Sequence, residues 1–128
     1  MEQRYLIDTN AVIDYLGNKL SAEGMEFMNP IIDIVPCISV MTKIEVLGFN
    51  APVEHYQLLK DFIDDSNVIE LNDDVVNKCI EIRKSHKIKL PDAIIASSAL
   101  VYELAIITRN TSDFKNIEGI QIIDPFDW

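Results

Sequence analysis

The sequence predicts an α/β protein whose parallel sheet is covered by helices on both faces. Short, continuous apolar runs alternate along the chain with longer segments of helical periodicity, and this alternation is typical of βαβ units. Because strands buried on both faces are apolar throughout, the runs indicate a parallel sheet. The predicted strands are Tyr5–Ile7, Val35–Ser39, Asn67–Leu71, Ala105–Ile107 and Gly119–Ile123.

Helices are predicted between these strands from hydrophobic spacing and from proline and glycine at their ends. Pro52 and Pro91 begin two of them, because proline fits the first turn of a helix, and Gly48 ends another. The helix after Pro91 extends to about Glu103, and its small apolar residues predict burial. The other predicted helical segments are Asn10–Leu16, Thr42–Leu47, Val75–Arg83 and a short turn or helix at Asn110–Phe114.

Length and composition predict one domain, residues 1–128. The chain has 128 residues, of which 48% are hydrophobic, enough for a core without disulfide or metal support. No segment approaches the roughly 18 consecutive apolar residues of a membrane helix, and the polar N-terminus lacks the apolar region of a signal peptide. Cys37 and Cys79 are distant in sequence with apolar neighbours, which predicts two buried thiols. We therefore expect a cytoplasmic protein.

The formal net charge of −10 argues against nonspecific binding to nucleic acid, because basic residues that neutralise phosphate supply much of that affinity. Two interpretations of the acidic residues remain open. They form a solvated surface, which is the commoner case, or several of them converge on a divalent cation that inverts the local potential.

Four acidic residues occupy positions that a parallel sheet can bring together. Asp8, Glu45 and Asp113 each follow a predicted strand closely, and Asp92 opens the apolar helix that packs on the sheet. In open α/β sheets, ligands bind beyond the carboxyl ends of the strands, where the strand order reverses. Carboxylates gathered there repel one another, and a hard divalent cation with oxygen ligands relieves the repulsion. The placement therefore predicts a site for such a cation.

Each acid also has a local structural interpretation. These interpretations are a helix N-cap for Asp8, a capping box for Thr42-x-x-Glu45, ordinary first-turn chemistry for Asp92 and a short cap for Asn110-x-x-Asp113. Apolar residues flank Glu45 in sequence, which predicts a carboxylate in apolar surroundings that needs a partner. The alternatives stay open for each residue alone, and the joint placement is the stronger argument for a metal site.

Other kinds of site are not indicated. His55 and His86 have no zinc spacing with either cysteine, and the four glycines form no phosphate-binding loop. A phosphoacceptor receiver domain is a further α/β candidate, but it requires adjacent acids after the first strand, where Thr9 and Asn10 follow Asp8. A haloacid-dehalogenase-like phosphatase requires Asp-x-Asp there, and Asn10 takes the second place.

Four sequence blocks, in this order and spacing, resemble the PIN-domain family. The blocks are Leu6-Ile7-Asp8-Thr9-Asn10, Ile38-Ser39-Val40 through Glu45 to Gly48, Leu90-Pro91-Asp92-Ala93-Ile94-Ile95-Ala96, and Thr108-Arg109-Asn110-Thr111-Ser112-Asp113-Phe114. They span nearly the whole chain, and its compact length is similar to the VapC-type toxins of type II toxin–antitoxin systems. The stretch Ser85–Lys89 lacks a glycine often found there in the family, and we expect an altered loop.

The resemblance implies a three-layer α/β/α sandwich of the PIN-like, Rossmann-like type and endoribonuclease activity. It implies an RNA substrate, a homodimer and a cognate VapB-type antitoxin that blocks the site. A PIN fold used without catalysis as a binding module is the alternative, which the presence of all four acids disfavours. The implied residues are Asp8, Glu45, Asp92 and Asp113 as the catalytic Mg²⁺ or Mn²⁺ site, with Thr9, Thr108 and Asn110 in support.

The mechanism that follows as a hypothesis is metal-assisted hydrolysis of phosphodiester bonds. The acids hold one or two cations, and a bound water attacks the phosphorus in line. We expect Asp8 and Asp113 to be direct ligands, and Glu45 and Asp92 to act directly or through water.

The one dense basic run has two interpretations. It is the polar end of a helix, where cations suit the helix dipole, or it guides RNA phosphates toward the site. The candidate RNA-binding residues of this run are Arg83, Lys84, Lys87 and Lys89, with His86 between them.

Overall fold

The computed structural model describes residues 4–127, and within them five parallel strands form one sheet in the order β3-β2-β1-β4-β5. All five predicted strands are confirmed, three of them with fewer residues than predicted, and so is the parallel pairing. The strands are β1 Tyr5–Ile7, β2 Cys37–Ser39, β3 Asn67–Ile69, β4 Ala105–Ile107 and β5 Ile122–Ile123.

Six α-helices connect and cover these strands within the described residues. The helices predicted from sequence spacing are present, with boundaries that differ by a few residues. Two short 3-10 turns follow β4 and β5, at Thr111–Asp113 and Pro125–Asp127. The helices are α1 Thr9–Leu16, α2 Ala22–Asp33, α3 Val40–Leu47, α4 Val53–Asp64, α5 Asp73–Ser85 and α6 Leu90–Val101.

Helix α2 is the element that sequence spacing did not predict. Pro30 lies inside the helix, where proline removes a backbone donor and normally argues against a helix. The helix begins all the same at Ala22, and its N-cap Ser21 accepts a hydrogen bond from the Gly24 amide through its hydroxyl. A side chain at Gly24 would lie 2.6 Å from the Pro125 carbonyl oxygen, so α2 packs closely on the C-terminal turn. Tertiary packing thus holds a helix that local propensity alone does not favour.

Successive strand residues face opposite sides of the sheet and build two separate cores. Leu6 and Ile106 contribute to one core with residues of α5 and α6. Ile7 and Ile107 contribute to the other core with residues of α1, α2, α3 and α4. All four of these strand residues are fully buried, as expected for strands covered on both faces. The predicted three-layer α/β/α sandwich is therefore confirmed.

Helix α6 is the apolar helix of the sheet face that also carries α5. All residues from Ala93 to Ala99 are buried, and the Ser97 and Ser98 hydroxyls donate to carbonyl oxygens one turn earlier in the helix. With 12 residues, it is too short to cross a membrane, and no other helix of residues 4–127 is both long and apolar enough to do so.

The two cysteines are free thiols, and the predicted burial is confirmed for Cys79 but not for Cys37. Cys79 is buried in α5, and Cys37 is half-buried in β2. Cys79 packs with Ala93 and Ile94 of α6, so it belongs to the apolar contact between these two helices.

The strand order decides where a ligand site can form. The chain runs outward from β1 to β2 and β3, then returns to place β4 on the other side of β1. The order therefore reverses between β1 and β4, and their register pairs Ile7 with Ile107. The next residues, Asp8 and Thr108, consequently emerge side by side at the carboxyl ends of the two strands, the usual position of ligand sites in this architecture.

Candidate functional site

Asp8 is held from two sides at the switch point of the sheet. It is the N-cap of α1, and its Oδ1 accepts a hydrogen bond from the Thr9 amide at 2.8 Å. Its Oδ2 accepts from Thr108 Oγ1 at 2.8 Å and from Asn10 Nδ2 at 3.2 Å. Only 5% of Asp8 is exposed. The N-cap interpretation is therefore confirmed, but it accounts for only one of the two carboxylate oxygens.

Asn10 links the residues that follow β1 and β4. Its side-chain amide donates to Asp8 and to Thr108 Oγ1, the latter at 3.1 Å. Its Oδ1 accepts a hydrogen bond from the Arg109 amide at 2.9 Å. The Asn110 amide also donates to Thr108 Oγ1, at 3.0 Å. Asn10 was not predicted as a site residue, although its position two residues after Asp8 was the available signal.

Glu45 lies on the exposed side of α3 and faces α1. Its Oε1 accepts a hydrogen bond from Thr9 Oγ1 at 2.6 Å, and Thr9 Oγ1 is also bonded to Thr42 Oγ1 at 3.1 Å. The predicted apolar surroundings of Glu45 are wrong, because Glu45 is exposed and its neighbour Ile44 is 59% exposed. Thr9 therefore contacts Glu45, and Thr42 is a buried contact of Thr9 that was not predicted from the sequence.

The capping box predicted at Thr42-x-x-Glu45 is wrong. The helix begins earlier, with Ser39 as its N-cap, and the Ser39 hydroxyl accepts from the Met41 amide at 3.1 Å. Thr42 therefore lies inside α3, where its hydroxyl bonds to Thr9 instead of capping the helix.

Asp92 and Asp113 approach the same edge from α6 and from the turn after β4. Asp92 is half-buried in the first turn of α6, next to Pro91. No donor of residues 4–127 forms a hydrogen bond with its carboxylate. Asp113 is exposed at the end of the 3-10 turn Thr111–Asp113, and the N-cap residue Asn110 makes no side-chain cap bond there. The predicted Asn110-x-x-Asp113 side-chain cap is therefore wrong.

Burial and the charges of the other three acids act together on Asp92. Burial, followed by the charges of Asp113, Asp8 and Glu45, raises the Asp92 pKa from 3.8 to about 6, and Lys89 opposes the change. Burial is also the main reason that the Asp8 pKa is raised, while its hydrogen bonds with Thr108, Thr9 and Asn10 oppose the increase. Asp113, Asp8 and Glu45 thus all lie within electrostatic range of Asp92. Within residues 4–127, no three acidic, histidine or cysteine side chains are close enough to form a ready-made metal cage.

Sequence comparison identifies the family. The PIN domain family matches residues 5–120 of the chain. The chain belongs to the PIN domain family. This match confirms the resemblance drawn from the four sequence blocks, and it covers all four acids. No match is found among curated proteins.

Solved structures similar to this PIN domain include chains of toxin–antitoxin complexes. A chain of a toxin–antitoxin complex from Klebsiella pneumoniae is 30% identical, with a TM-score of 0.77 and coverage of 95% of this chain and 98% of that chain. A chain of DNA-bound VapBC from Salmonella typhimurium is 26% identical, with a TM-score of 0.79 and coverage of 96% and 98%. FitAcB from Neisseria gonorrhoeae shares the fold at 18% identity, with a TM-score of 0.77 and coverage of 97% and 99%. The similarity to VapC-type PIN domains is thereby confirmed.

The basic run of this PIN domain divides between two grooves. Lys87 and Lys89 line a groove of about 360 Å³ together with Asp92 and Asp113. Arg83 and Lys84 lie in the last turn of α5. They line a different groove of about 550 Å³, whose other residues are apolar. Lys87 and Lys89 are thus the lysines of this run in the groove that contains Asp92 and Asp113.

The loop between α5 and α6, where the sequence departs from the family, is tied to the segment after Asp113. His86 Nδ1 lies 3.3 Å from the Ile82 carbonyl oxygen, and Nε2 lies 3.1 Å from the Asn116 carbonyl oxygen. The imidazole therefore connects the end of α5 to the chain that follows the 3-10 turn Thr111–Asp113, and it forms one wall of the groove with Lys87 and Lys89.

Proposed function

We propose that this PIN domain is a Mg²⁺- or Mn²⁺-dependent endoribonuclease that acts in the cytoplasm as the toxin of a VapBC-type pair. The observation that carries the proposal is the placement of the acids: Asp92 and Asp113 line one groove, and Asp8 is held at the switch point of the sheet. Burial and the charges of Asp113, Asp8 and Glu45 raise the Asp92 pKa, which is consistent with this placement. The four carboxylates come from distant parts of the chain, and the charges of Asp113, Asp8 and Glu45 oppose the ionisation of Asp92. The similarity to chains of toxin–antitoxin complexes supports the biological role.

The donor set fits a hard divalent cation. All four side chains offer carboxylate oxygens, the ligands that Mg²⁺ and Mn²⁺ prefer. Asp8 is oriented by three hydrogen bonds, as metal ligands commonly are by the residues around them. Glu45 and Asp113 are exposed, so their side chains can turn toward a cation at little cost in packing. A bound divalent cation supplies positive charge that lowers the pKa of a bound water and stabilises charge on phosphate oxygens.

The chain's own residues orient the acids and attract the substrate. Thr108 and Asn10 hold Asp8, while Thr9 holds Glu45. The N-termini of α1 and α6 lie at the site, and helix N-termini attract phosphate. Lys87 and Lys89 add positive charge in the same groove. These local charges explain how a chain with net charge −10 can bind RNA, because screening limits the reach of the remaining acids to roughly 8 Å at physiological salt.

The exposed acids provide the cleanest test of this proposal. Asp113→Asn and Glu45→Gln remove charge without removing packed atoms, so both variants are expected to fold normally. We expect each to lower Mn²⁺-dependent cleavage of total cellular RNA by at least about 100-fold, the upper range for residues that hold or orient a metal. Cleavage is measured by sequencing the new RNA 5′ ends after incubation with purified protein.

The matched control is Asp64→Asn, an exposed acid of α4 that forms an ion pair with Lys60. It changes the net charge by the same amount, and its RNA cleavage should equal that of the parent protein. The nuclease proposal is rejected if chelators do not reduce RNA cleavage by the parent protein. It is also rejected if both site variants cleave RNA as well as the parent does. If the protein is folded and cleaves no RNA, it is a non-catalytic binding module instead. The observation that favours this alternative is that no compact metal cage is present among residues 4–127.

The location of the two grooves makes a prediction about RNA binding. Lys87→Glu/Lys89→Glu should weaken binding to single-stranded RNA and reduce the slope of log affinity against log salt by about 1 to 2. Arg83→Glu/Lys84→Glu introduces the same charge change in the other groove and should leave the slope near the parent value. Fluorescence anisotropy at several salt concentrations, with Asp113→Asn in every protein to prevent cleavage, measures both slopes. Equal effects of the two pairs contradict a specific role for Lys87 and Lys89.

The toxin role makes the proposal testable in cells. We expect expression of this chain to stop bacterial growth, Asp8→Ala to remove that toxicity, and co-expression of an antitoxin from the neighbouring gene to restore growth. The homodimer that belongs to the same proposal is checked by size-exclusion chromatography with light scattering. Growth unaffected by the parent chain, despite soluble expression, contradicts the toxin role but leaves the nuclease test above intact.

A further inference from the structure

Arg109 joins three separate segments beside the candidate site. Its Nη1 donates to Asp14 Oδ2 at 2.7 Å, and its guanidinium carbon lies 5.4 Å from the centre of the Phe126 ring. Asp14 belongs to α1, while Phe126 lies in the 3-10 turn Pro125–Asp127. The Asp14 side chain is only 9% exposed, whereas the Arg109 side chain is 55% exposed. A buried carboxylate therefore anchors a largely exposed arginine whose guanidinium carbon lies over an aromatic ring.

The main chain of the same arginine contacts the site. The Arg109 amide donates to Asn10 Oδ1 at 2.9 Å, and Asn10 Nδ2 in turn donates to Asp8 Oδ2. The hydrogen bond that the Arg109 amide donates to Asn10 Oδ1 determines which end of the Asn10 side-chain amide points toward Asp8, because the carbonyl oxygen must face a donor. The position of the Arg109 backbone therefore affects the orientation of Asn10, and Asn10 in turn affects the orientation of the Asp8 carboxylate.

We infer that Arg109 is a positioning residue for Asp8, acting through Asn10, and that Asp14 and Phe126 are its anchors. The inference rests on the proposed metal-dependent function, since it concerns the residue expected to bind the cation. Burial restricts Asp14 to few conformations, and a planar guanidinium satisfies both the carboxylate and the aromatic face, which a lysine cannot do equally well. Groups that orient metal ligands in this way typically change metal affinity or activity by about 10-fold to 100-fold when they are removed.

The test removes the anchor without leaving a buried charge unpaired. Arg109→Ala alone would leave Asp14 buried without its cation, which is strongly destabilising, so the variant is Asp14→Asn/Arg109→Ala. Isothermal titration with Mn²⁺ alone should give about 10-fold weaker binding at an unchanged number of sites per folded chain. RNA cleavage should fall at low Mn²⁺ and recover at saturating Mn²⁺. A merely structural role predicts fewer binding sites at unchanged affinity.

The matched control disrupts an ion pair on the surface of α4. Lys60→Ala/Asp64→Asn removes the exposed pair of Lys60 and Asp64 and should not change Mn²⁺ affinity. If the parent protein itself binds no Mn²⁺, the proposed function fails. If the parent binds Mn²⁺ and the Asp14/Arg109 variant binds it within two-fold of the parent, the positioning role is overturned while the proposed function stands.

A conservative variant covers the case in which the double variant does not fold. Arg109→Lys keeps a cation near Asp14 but loses the guanidinium group that lies over the Phe126 ring. Positioning predicts Mn²⁺ binding weaker than in the parent by a few-fold, with full cleavage at saturating Mn²⁺. The inference is overturned if the double variant is unfolded and the folded Arg109→Lys protein binds Mn²⁺ with unchanged affinity. The pair of Asp14 and Arg109 then contributes to stability alone.

Discussion

Replacing Asp92 with asparagine is expected to abolish RNA cleavage and, at neutral pH, to stabilise the metal-free protein. Cleavage should fall by at least about 100-fold, because the variant loses one of the charged oxygen donors proposed for the cation. Stability should rise because Asp92 is half-buried beside Asp113, Asp8 and Glu45 and opposes folding when it is ionised. A gain in stability accompanied by a loss of activity is typical of a residue retained for function.

The pH dependence provides an independent check of the Asp92 environment. The folded protein holds the Asp92 proton with a pKa of about 6, against an ordinary value of 3.8. Between these values the folded state binds more protons than the unfolded state, so the free energy of unfolding decreases as pH rises through this window. Above pH 6, Asp92 is ionised in the folded protein, and its repulsion with the charges of Asp113, Asp8 and Glu45 is fully present. The Asp92→Asn variant lacks this contribution, and we expect it to exceed the parent by about 1 kcal/mol at pH 7, after allowance for solvent screening.

Chemical denaturation of metal-free protein at pH 4 and pH 7 measures this difference. Asp64→Asn, with an exposed acid outside the site, is the control and should show the parent's pH dependence. Mn²⁺ at about 100 times its dissociation constant should stabilise the parent by about 2.7 kcal/mol and the Asp92→Asn variant by much less. An Asp92→Asn protein that keeps both the parent's cleavage and its Mn²⁺ stabilisation contradicts the four-carboxylate site.

Replacing Phe114 with alanine is expected to cost about 3–5 kcal/mol in the free energy of unfolding. Phe114 directly follows Asp113, is fully buried, and belongs to the core that contains Leu6 and Ile106. Its ring therefore anchors the end of the 3-10 turn that carries Asp113. Because domains are commonly stable by only about 5–15 kcal/mol, the variant should be partly unfolded at physiological temperature.

Thermal and urea denaturation measure the loss. Phe114→Leu retains most of the side-chain volume and should lose much less stability than Phe114→Ala. Phe49→Ala is the control at an aromatic residue that is 49% exposed, and it should be close to the parent. A Phe114→Ala protein within 1 kcal/mol of the parent would show that the core collapses around the missing ring, so that the turn does not depend on it.

The sequence alone determined the strands, the two-sided burial of the sheet and the four acids. Tyr5–Ile7 and Ala105–Ile107 could be predicted because a strand buried on both faces needs a continuous apolar run, which is a local pattern. Asp8 and Asp113 could be predicted as site candidates because each follows such a run. The resemblance to the PIN domain family used the same short blocks, so it also depended on local sequence.

The tertiary structure alone decided which partners these residues have. Asp8 and Thr108 are 100 residues apart and bond at 2.8 Å because β4 returns beside β1, and no periodicity in the sequence specifies that strand order. The Asn10 and Thr42 contacts depend on the same packing, as do helix α2 around Pro30 and the division of the basic run between two grooves. Hydrophobic spacing reports which face of an element is buried, whereas hydrogen bonds between distant residues are decided by how those faces assemble.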